Sequence, residues 1–207
     1  NSIALFGQKA KWNWAAQIVG SNWSVGYDVA IDANNNVYSC GFFMDSARFG
    51  ENQLYSPNQV AYIVKYNADG EVKWVNIFPS DHSSFAEKVS VDSKGNIFVT
   101  GYFSGELIAG NYILNTDSYI ENFFLVKIDS SGTVLWASQS NSSSNCHANA
   151  MTIDASDYIY LAGDNNAYTS FGNLTADKIG MFILKYDPDG NPIQLINESG
   201  CNTASVN

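Results

Sequence analysis

Val89-Ser90-Val91-Asp92-Ser93-Lys94-Gly95-Asn96-Ile97-Phe98-Val99-Thr100-Gly101 reads as an apolar run closed by an acid, a turn, and a second apolar run closed by a glycine. The pattern occurs twice more. Val29-Ala30-Ile31-Asp32 leads to Val37-Tyr38-Ser39-Cys40-Gly41, and Met151-Thr152-Ile153-Asp154 leads to Ile159-Tyr160-Leu161-Ala162-Gly163. The copies begin 60 and 62 residues apart. A period of this size, built from strands and turns, predicts an array of small sheets in which each repeat buries its faces against its neighbours.

Working outward, each pair of runs is followed by a long connection (45–58, 104–120 and 165–178) and then by a third run. These are Ala61-Tyr62-Ile63-Val64-Lys65-Tyr66, Phe123-Phe124-Leu125-Val126-Lys127-Ile128 and Met181-Phe182-Ile183-Leu184-Lys185-Tyr186. Asn67-Ala68-Asp69-Gly70, Asp129-Ser130-Ser131-Gly132 and Asp187-Pro188-Asp189-Gly190 come next, with the Asx-first, Gly-last pattern of a tight hairpin turn. A fourth run carries Trp74, Trp136 or, in the last copy, Gln194. Trp14, Trp74 and Trp136 each stand 15 residues before the start of the next first run, so Lys11-Trp12-Asn13-Trp14 predicts the last strand of a preceding unit. No window keeps a 3.6-residue apolar period, and essentially no helix is expected. The expected division is an outer strand of a preceding unit in 1–20, complete four-stranded units in 21–80, 81–142 and 143–200, and the start of a further unit in 201–207, where Ala204 aligns with Ala86 and Ala148.

Repeated four-stranded antiparallel sheets are the blades of a β-propeller. The chain resembles the bacterial secreted propeller repeat known as the seven-bladed β-propeller (SBBP) repeat. The middle copy matches best, through Val89-Ser90-Val91-Asp92, Gly95-Asn96-Ile97, Thr100-Gly101, Leu125-Val126-Lys127 and Gly132 to Trp136. The first copy has Asn35 for the first glycine of the pattern; the third has Asp157-Tyr158 for Gly-Asn and Gln194 for the tryptophan. The resemblance implies an all-β propeller fold and no particular activity. Three blades do not close a ring, so the expectation is a partial or open propeller, completed by the rest of a longer polypeptide or by copies of the chain.

Composition narrows the function classes. Of 207 residues, 45% are hydrophobic and 14% charged, against the usual quarter charged, and the formal net charge is −10. The basic residues are scattered, which argues against nucleic acid and anionic membrane surfaces as partners. No apolar run is long enough for a transmembrane helix. The polar, lightly charged composition suits a secreted or cell-surface protein, with a bacterial origin following from the resemblance; any targeting signal is expected outside this sequence. Cys40, Cys146 and Cys201 lack metal-ligand spacing. Cys40 reads as a small buried residue. Cys146 and Cys201 are the candidate disulfide, with free thiols as the alternative.

The repeat separates scaffold from site. Asp32, Asp92 and Asp154, Lys65, Lys127 and Lys185, and Trp14, Trp74 and Trp136 recur in register and read as structural. Asp187, Asp189 and Asn191 are the candidate metal ligands, with calcium the cation considered and a plain hairpin turn the alternative; no other cofactor is expected. Trp23, Phe85 and His147 fall in the connections entering the first strands and are the candidate ligand-binding rim, with packing between blades as the alternative. His82, the other histidine, reads as a loop residue. No catalytic residues are assigned. The leading expectation is a non-catalytic extracellular scaffold or binding module for protein or glycan ligands. The alternatives are a subunit assembling through exposed blade faces, and a propeller lyase or hydrolase with the three aligned aspartates at its channel.

Overall fold

A computed structural model of the chain describes residues 14–199. Within them every regular element is a β-strand. The first unit comprises β1 (Ile18–Gly20), β2 (Ser24–Ile31), β3 (Val37–Phe49), β4 (Asn52–Tyr66) and β5 (Val72–Phe78). The second comprises β6 (Ser83–Val91), β7 (Ile97–Ser104), β8 (Glu106–Ala109), β9 (Tyr112–Asn115), β10 (Asn122–Ile128) and β11 (Val134–Gln139). The third comprises β12 (Asn141–Ser142), β13 (Cys146–Ile153), β14 (Ile159–Asn165), β15 (Thr169–Phe171), β16 (Leu174–Ala176), β17 (Gly180–Tyr186) and β18 (Pro192–Ser199).

Each unit is an antiparallel meander of four strands: β2-β3-β4-β5, β6-β7-β10-β11 and β13-β14-β17-β18. The units are not separate sheets. Single parallel bridges, Gln59 to Ser83 and Asn122 to Cys146, join the third strand of one unit to the first strand of the next. The array is open at both ends, since no described strand of the third unit pairs back to the first.

The long connections are more ordered than their variable sequence suggests. In the first unit β3 and β4 run on past the core as one hairpin closed by Gly50; in the second β8 and β9 form a separate hairpin, and in the third β15 and β16 do. The segment arriving from the preceding unit lies along the same hairpin each time: β1 on β3, Ser80 bridging to Leu107, and β12 on β15. Phe49, Leu107, Ala109 and Phe171 on these hairpins are fully buried. The hairpins therefore extend the core rather than dangle from it.

Two apolar layers lie between units. Tyr38, Cys40, Ala61 and Ile63 of the first unit pack with Ala86, Val89, Phe124 and Val126 of the second. Phe98, Phe123 and Leu125 of the second pack with Ala148, Leu161, Phe182 and Leu184 of the third. Alternate residues of a strand thus serve opposite neighbours, which is why the third strands read as continuous apolar runs.

Candidate functional site

At one end of each unit the first strand carries a bulge against the second. The register slips between Gly26 and Asp28, between Ala86 and Lys88, and between Ala148 and Ala150, leaving Tyr27, Glu87 and Asn149 unpaired. The cause is a close approach. Gly41, Gly101 and Gly163 lie so near the carbonyls of Val25, Phe85 and His147 that a methyl group there would overlap the carbonyl oxygen. The bulge turns side chains toward one rim of the array.

On that rim the rings form a ladder across all three units. Trp23 meets Phe42 edge-on at 5.6 Å, and Phe42 meets Phe85 at 4.8 Å. Phe85 stacks on Tyr102 at 4.7 Å, and Tyr102 stacks on His147 at 4.6 Å. Tyr27 packs on Phe42 from the side at 5.8 Å. The ladder ends in an imidazole whose Nε2 lies 2.9 Å from Glu121 Oε2, while Asn145 Nδ2 donates to the same carboxylate at 3.4 Å. Trp23 is 60% exposed and Tyr27 also exposed, so the ladder opens to solvent at its first-unit end.

Glu87 sits within this group. Burial raises its carboxyl above the ordinary range; Lys88 and His147 pull it back and Glu121 pushes it up. Burial, and then Glu87, raise the Tyr27 hydroxyl. Burial, followed by Glu87 and Glu121, does the same to Tyr102. The rim is aromatic and acidic, and among the described residues no three His, Cys, Asp or Glu side chains converge as a metal site would require.

The three expected rim residues are joined through other rings, Trp23 to Phe85 by Phe42 and Phe85 to His147 by Tyr102. Phe42 and Phe85 are buried between the first two units, and two positions differ from expectation. Phe85 and His147 lie inside β6 and β13 rather than in connections, because the first strands begin earlier than their apolar runs. Trp23 is out of register: Val25 is the partner in position of Phe85 and His147, pairing Phe42 as they pair Tyr102 and Asp164. Trp23 joins the ladder through Phe42 instead. Sequence reading missed Phe42, Tyr102, Tyr27, Glu87 and Glu121. The signal available was the residue after each second-strand glycine, aromatic in two copies and Asp164 in the third, where it accepts from Asn149 at 2.7 Å.

The recurring residues occupy the opposite end. Asp32 Oδ1 accepts the amides of Asn34 and Asn36 while Oδ2 accepts from Asn36 Nδ2 and Tyr38 Oη. Asp92 takes the amides of Lys94 and Asn96 and the Asn96 side chain; Asp154 takes those of Ser156 and Tyr158 and the Tyr160 hydroxyl. Desolvation opposes ionisation of Asp32 and Asp154, but these donors outweigh it and hold both carboxyls below the usual range. Asp187 is engaged likewise, by the amides of Asp189 and Asn191 and by Asn191 Nδ2. That last bond turns an NH2 group toward the carboxylate, where a shared calcium would need an oxygen.

The lysines and tryptophans link units. Lys65 Nζ donates to Ser130 O at 2.9 Å and Lys127 Nζ to Pro188 O at 2.8 Å, each reaching the hairpin turn of the following unit. Trp14 Nε1 donates to Ala68 O and Trp74 Nε1 to Ser130 O. Trp136 covers Gly190, the turn glycine of the third unit. Cys40 is buried in β3. Cys146 opens β13 rather than lying in a connection, and burial pushes its thiol up to about 12. Cys201, and with it the candidate disulfide, lies outside the described residues, as do Lys11 to Asn13. His82 sits 5.8 Å from the exposed Tyr119 on the same rim.

No protein-family model matches the chain, so the SBBP resemblance rests on the residues quoted for it. A WD repeat-containing protein of Acanthamoeba polyphaga mimivirus, itself uncharacterised, is 25% identical over 183 residues. The match covers 72% of this chain and 13% of that protein. It is a distant relative of repeat β-propeller type.

Proposed function

We propose that the three units are successive blades of a β-propeller that serves as a non-catalytic interaction scaffold, with the aromatic ladder from Trp23 to His147 as its contact rim for a protein partner. WD repeats place a four-stranded blade in about 40–45 residues. Here the period is 60 and 62, and the surplus forms the hairpin beyond each blade core. Blade limits near 21–80, 81–142 and 143–200 belong to this reading.

The observation that carries it is the exposed end of the ladder, Trp23 and Tyr27, held in place by the buried Phe42 and Phe85. Stacked rings on a rigid sheet lose little side-chain freedom on binding, and exposed Trp and Tyr are the residues most used as interface anchors. The recurring aspartates are engaged in turns, which speaks against them as the acids of a lyase or hydrolase. The exposed indole of Trp23 also suits the face of a sugar ring, and the lightly charged composition suits a secreted or cell-surface setting.

A photo-crosslinking residue at Trp23, compared with one at Lys94 in a turn at the opposite end, tests the proposal. Expected is a protein captured only from position 23, whose binding to the purified chain weakens at least about tenfold in Trp23→Ala and Tyr27→Ala. Equal capture from both positions, or binding unchanged by both variants, overturns it.

A further inference from the structure

The exposed end of the ladder carries a carboxylate that nothing around it satisfies. Trp23 and Tyr27 both pack on Phe42, and Phe42 packs on Phe85 of the second unit. Their exposure therefore lies toward the second unit, apart from that of Val29 and Ile31 on the open face of the first. The Val89 amide donates to Asp28 Oδ2 at 3.1 Å, tying β2 to β6 just beyond the two bulge residues Tyr27 and Glu87. The other acids of this rim are engaged: Asp28 by that amide, Glu121 by His147 and Asn145, and Asp164 by Asn149. Glu87 is half-buried, yet among the described residues its carboxylate accepts no hydrogen bond and enters no ion pair, although Lys88 follows it.

We infer that Trp23, Tyr27 and Glu87 form a receptor for an arginine side chain of the partner protein, the guanidinium lying on the exposed rings and donating to the Glu87 carboxylate. The inference deepens the reading of the ladder as a contact rim and rests on it. Aromatic faces attract a cation, most strongly where water is partly excluded. A planar guanidinium both stacks on rings and gives a carboxylate two parallel N–H bonds, which an ammonium group does not. A half-buried carboxylate without a donor is costly to keep charged, and burial holds Glu87 above the ordinary carboxyl range; an incoming guanidinium offsets that cost. Charge is complementary over the wider surface as well. The chain has 20 acidic and 10 basic residues, and on the rim Asp28, Glu87, Glu121 and Asp164 outnumber Lys88 and an imidazole that Glu121 already holds. A neutral sugar would cover the rings but leave the charge of Glu87 uncompensated.

Titration of the whole chain with the peptide acetyl-Gly-Ser-Arg-Gly-Arg-Ser-Gly-amide, followed by NMR at the Trp23 indole N–H and the amides of β2 and β6, tests this. The controls carry citrulline, the neutral isostere, or lysine in place of both arginines. Expected are saturable shifts at Trp23, Tyr27 and Glu87 with a Kd of about 1 mM or tighter. Citrulline should weaken binding at least about tenfold and lysine about threefold. Glu87→Gln should weaken it at least about tenfold, and Glu121→Gln, whose carboxylate already holds His147, less than about threefold. No saturation by about 10 mM peptide, equal binding of the citrulline form, or an unchanged Kd in Glu87→Gln overturns the inference. So does the neutral disaccharide maltose if it shifts Trp23 where the arginine peptide does not. The citrulline comparison is made on the unaltered chain and depends on no variant folding. The partner captured from position 23 keeps the two failures apart. If its binding weakens in Trp23→Ala but not in Glu87→Gln, the contact rim stands and the arginine receptor falls; equal capture from positions 23 and 94 fails the rim itself.

Discussion

The third strands of the second and third units have nearly the same pattern and very different fates. Phe123-Phe124-Leu125-Val126-Lys127-Ile128 is buried throughout, whereas Met181-Phe182-Ile183-Leu184-Lys185-Tyr186 alternates between buried and open. Phe182, Leu184 and Tyr186 face the second unit and are fully buried; Met181 and Ile183 face away from it and are exposed. A strand in this array is apolar on both sides because it is written for two neighbours. The first unit shows the mirror case: Val29 and Ile31 are exposed, while Val89 in the same register is buried against the first unit.

What belongs within a unit should behave alike in both. Gly101→Ala and Gly163→Ala each drive a methyl group into a backbone carbonyl, and each should cost about 3 kcal/mol or more, enough to prevent folding of a marginal chain. Gly95→Ala, left-handed but with open space around it, should cost only about 1 kcal/mol. Denaturant unfolding measures all three; a mild Gly101→Ala breaks the account of the bulge.

What lies between units should differ. Leu125→Ala should cost about 2–5 kcal/mol, and Ile183→Ala about 1 kcal/mol. Equal costs would mean that the exposure of the third unit is not real in solution. The lysines should follow at smaller scale. Lys127→Met removes a bond across an interface and should cost about 1–2 kcal/mol, whereas Lys185→Met, which gives up only its place over Tyr158 and Tyr160, should cost clearly less.

The smallest effect should again be shared. The Ser131 hydroxyl, helped by the turn amides, holds Asp129 below the usual range; Asp187, despite desolvation, is lowered by Asn191 and its own turn amides. A depressed carboxyl contributes stability that is present above its unfolded value, near 4, and is lost as pH falls through the lower folded value. Glu87, raised by burial, works in the opposite direction. The melting temperature should hold from pH 7 to 5 and fall below about pH 4, less so in Asp187→Asn. A melting temperature that rises toward pH 3 would contradict the turn assignment.

Much of the scaffold was legible because it is local. A period-2 apolar run, an Asx-x-x-Gly turn and a recurring aspartate each declare themselves within a few residues. The hairpins beyond the blade cores were not, because β8 with β9 and β15 with β16 are short, differ in sequence, and are fixed by the segment arriving from the preceding unit. The rim was legible only in part. Trp23, Phe85 and His147 stand out as large rings near strand starts. Yet the bulge that aims them depends on Gly41, Gly101 and Gly163 in a partner strand, and Phe42 and Tyr102 look like ordinary core residues. Trp74 and Trp136 pair with Lys65 and Lys127 in matching register, while the task of the tryptophans, covering the turn glycine of the following unit, is a contact between units that spacing alone does not contain.

Amide hydrogen exchange across the whole chain tests the central claim most directly. If the units stabilise one another face to face, residues 122–128 should be the slowest third strand and residues 180–186 clearly faster, with Met181 and Ile183 among the first of that strand to exchange. Equal protection of the two strands, or a second unit that exchanges before the third, would contradict it.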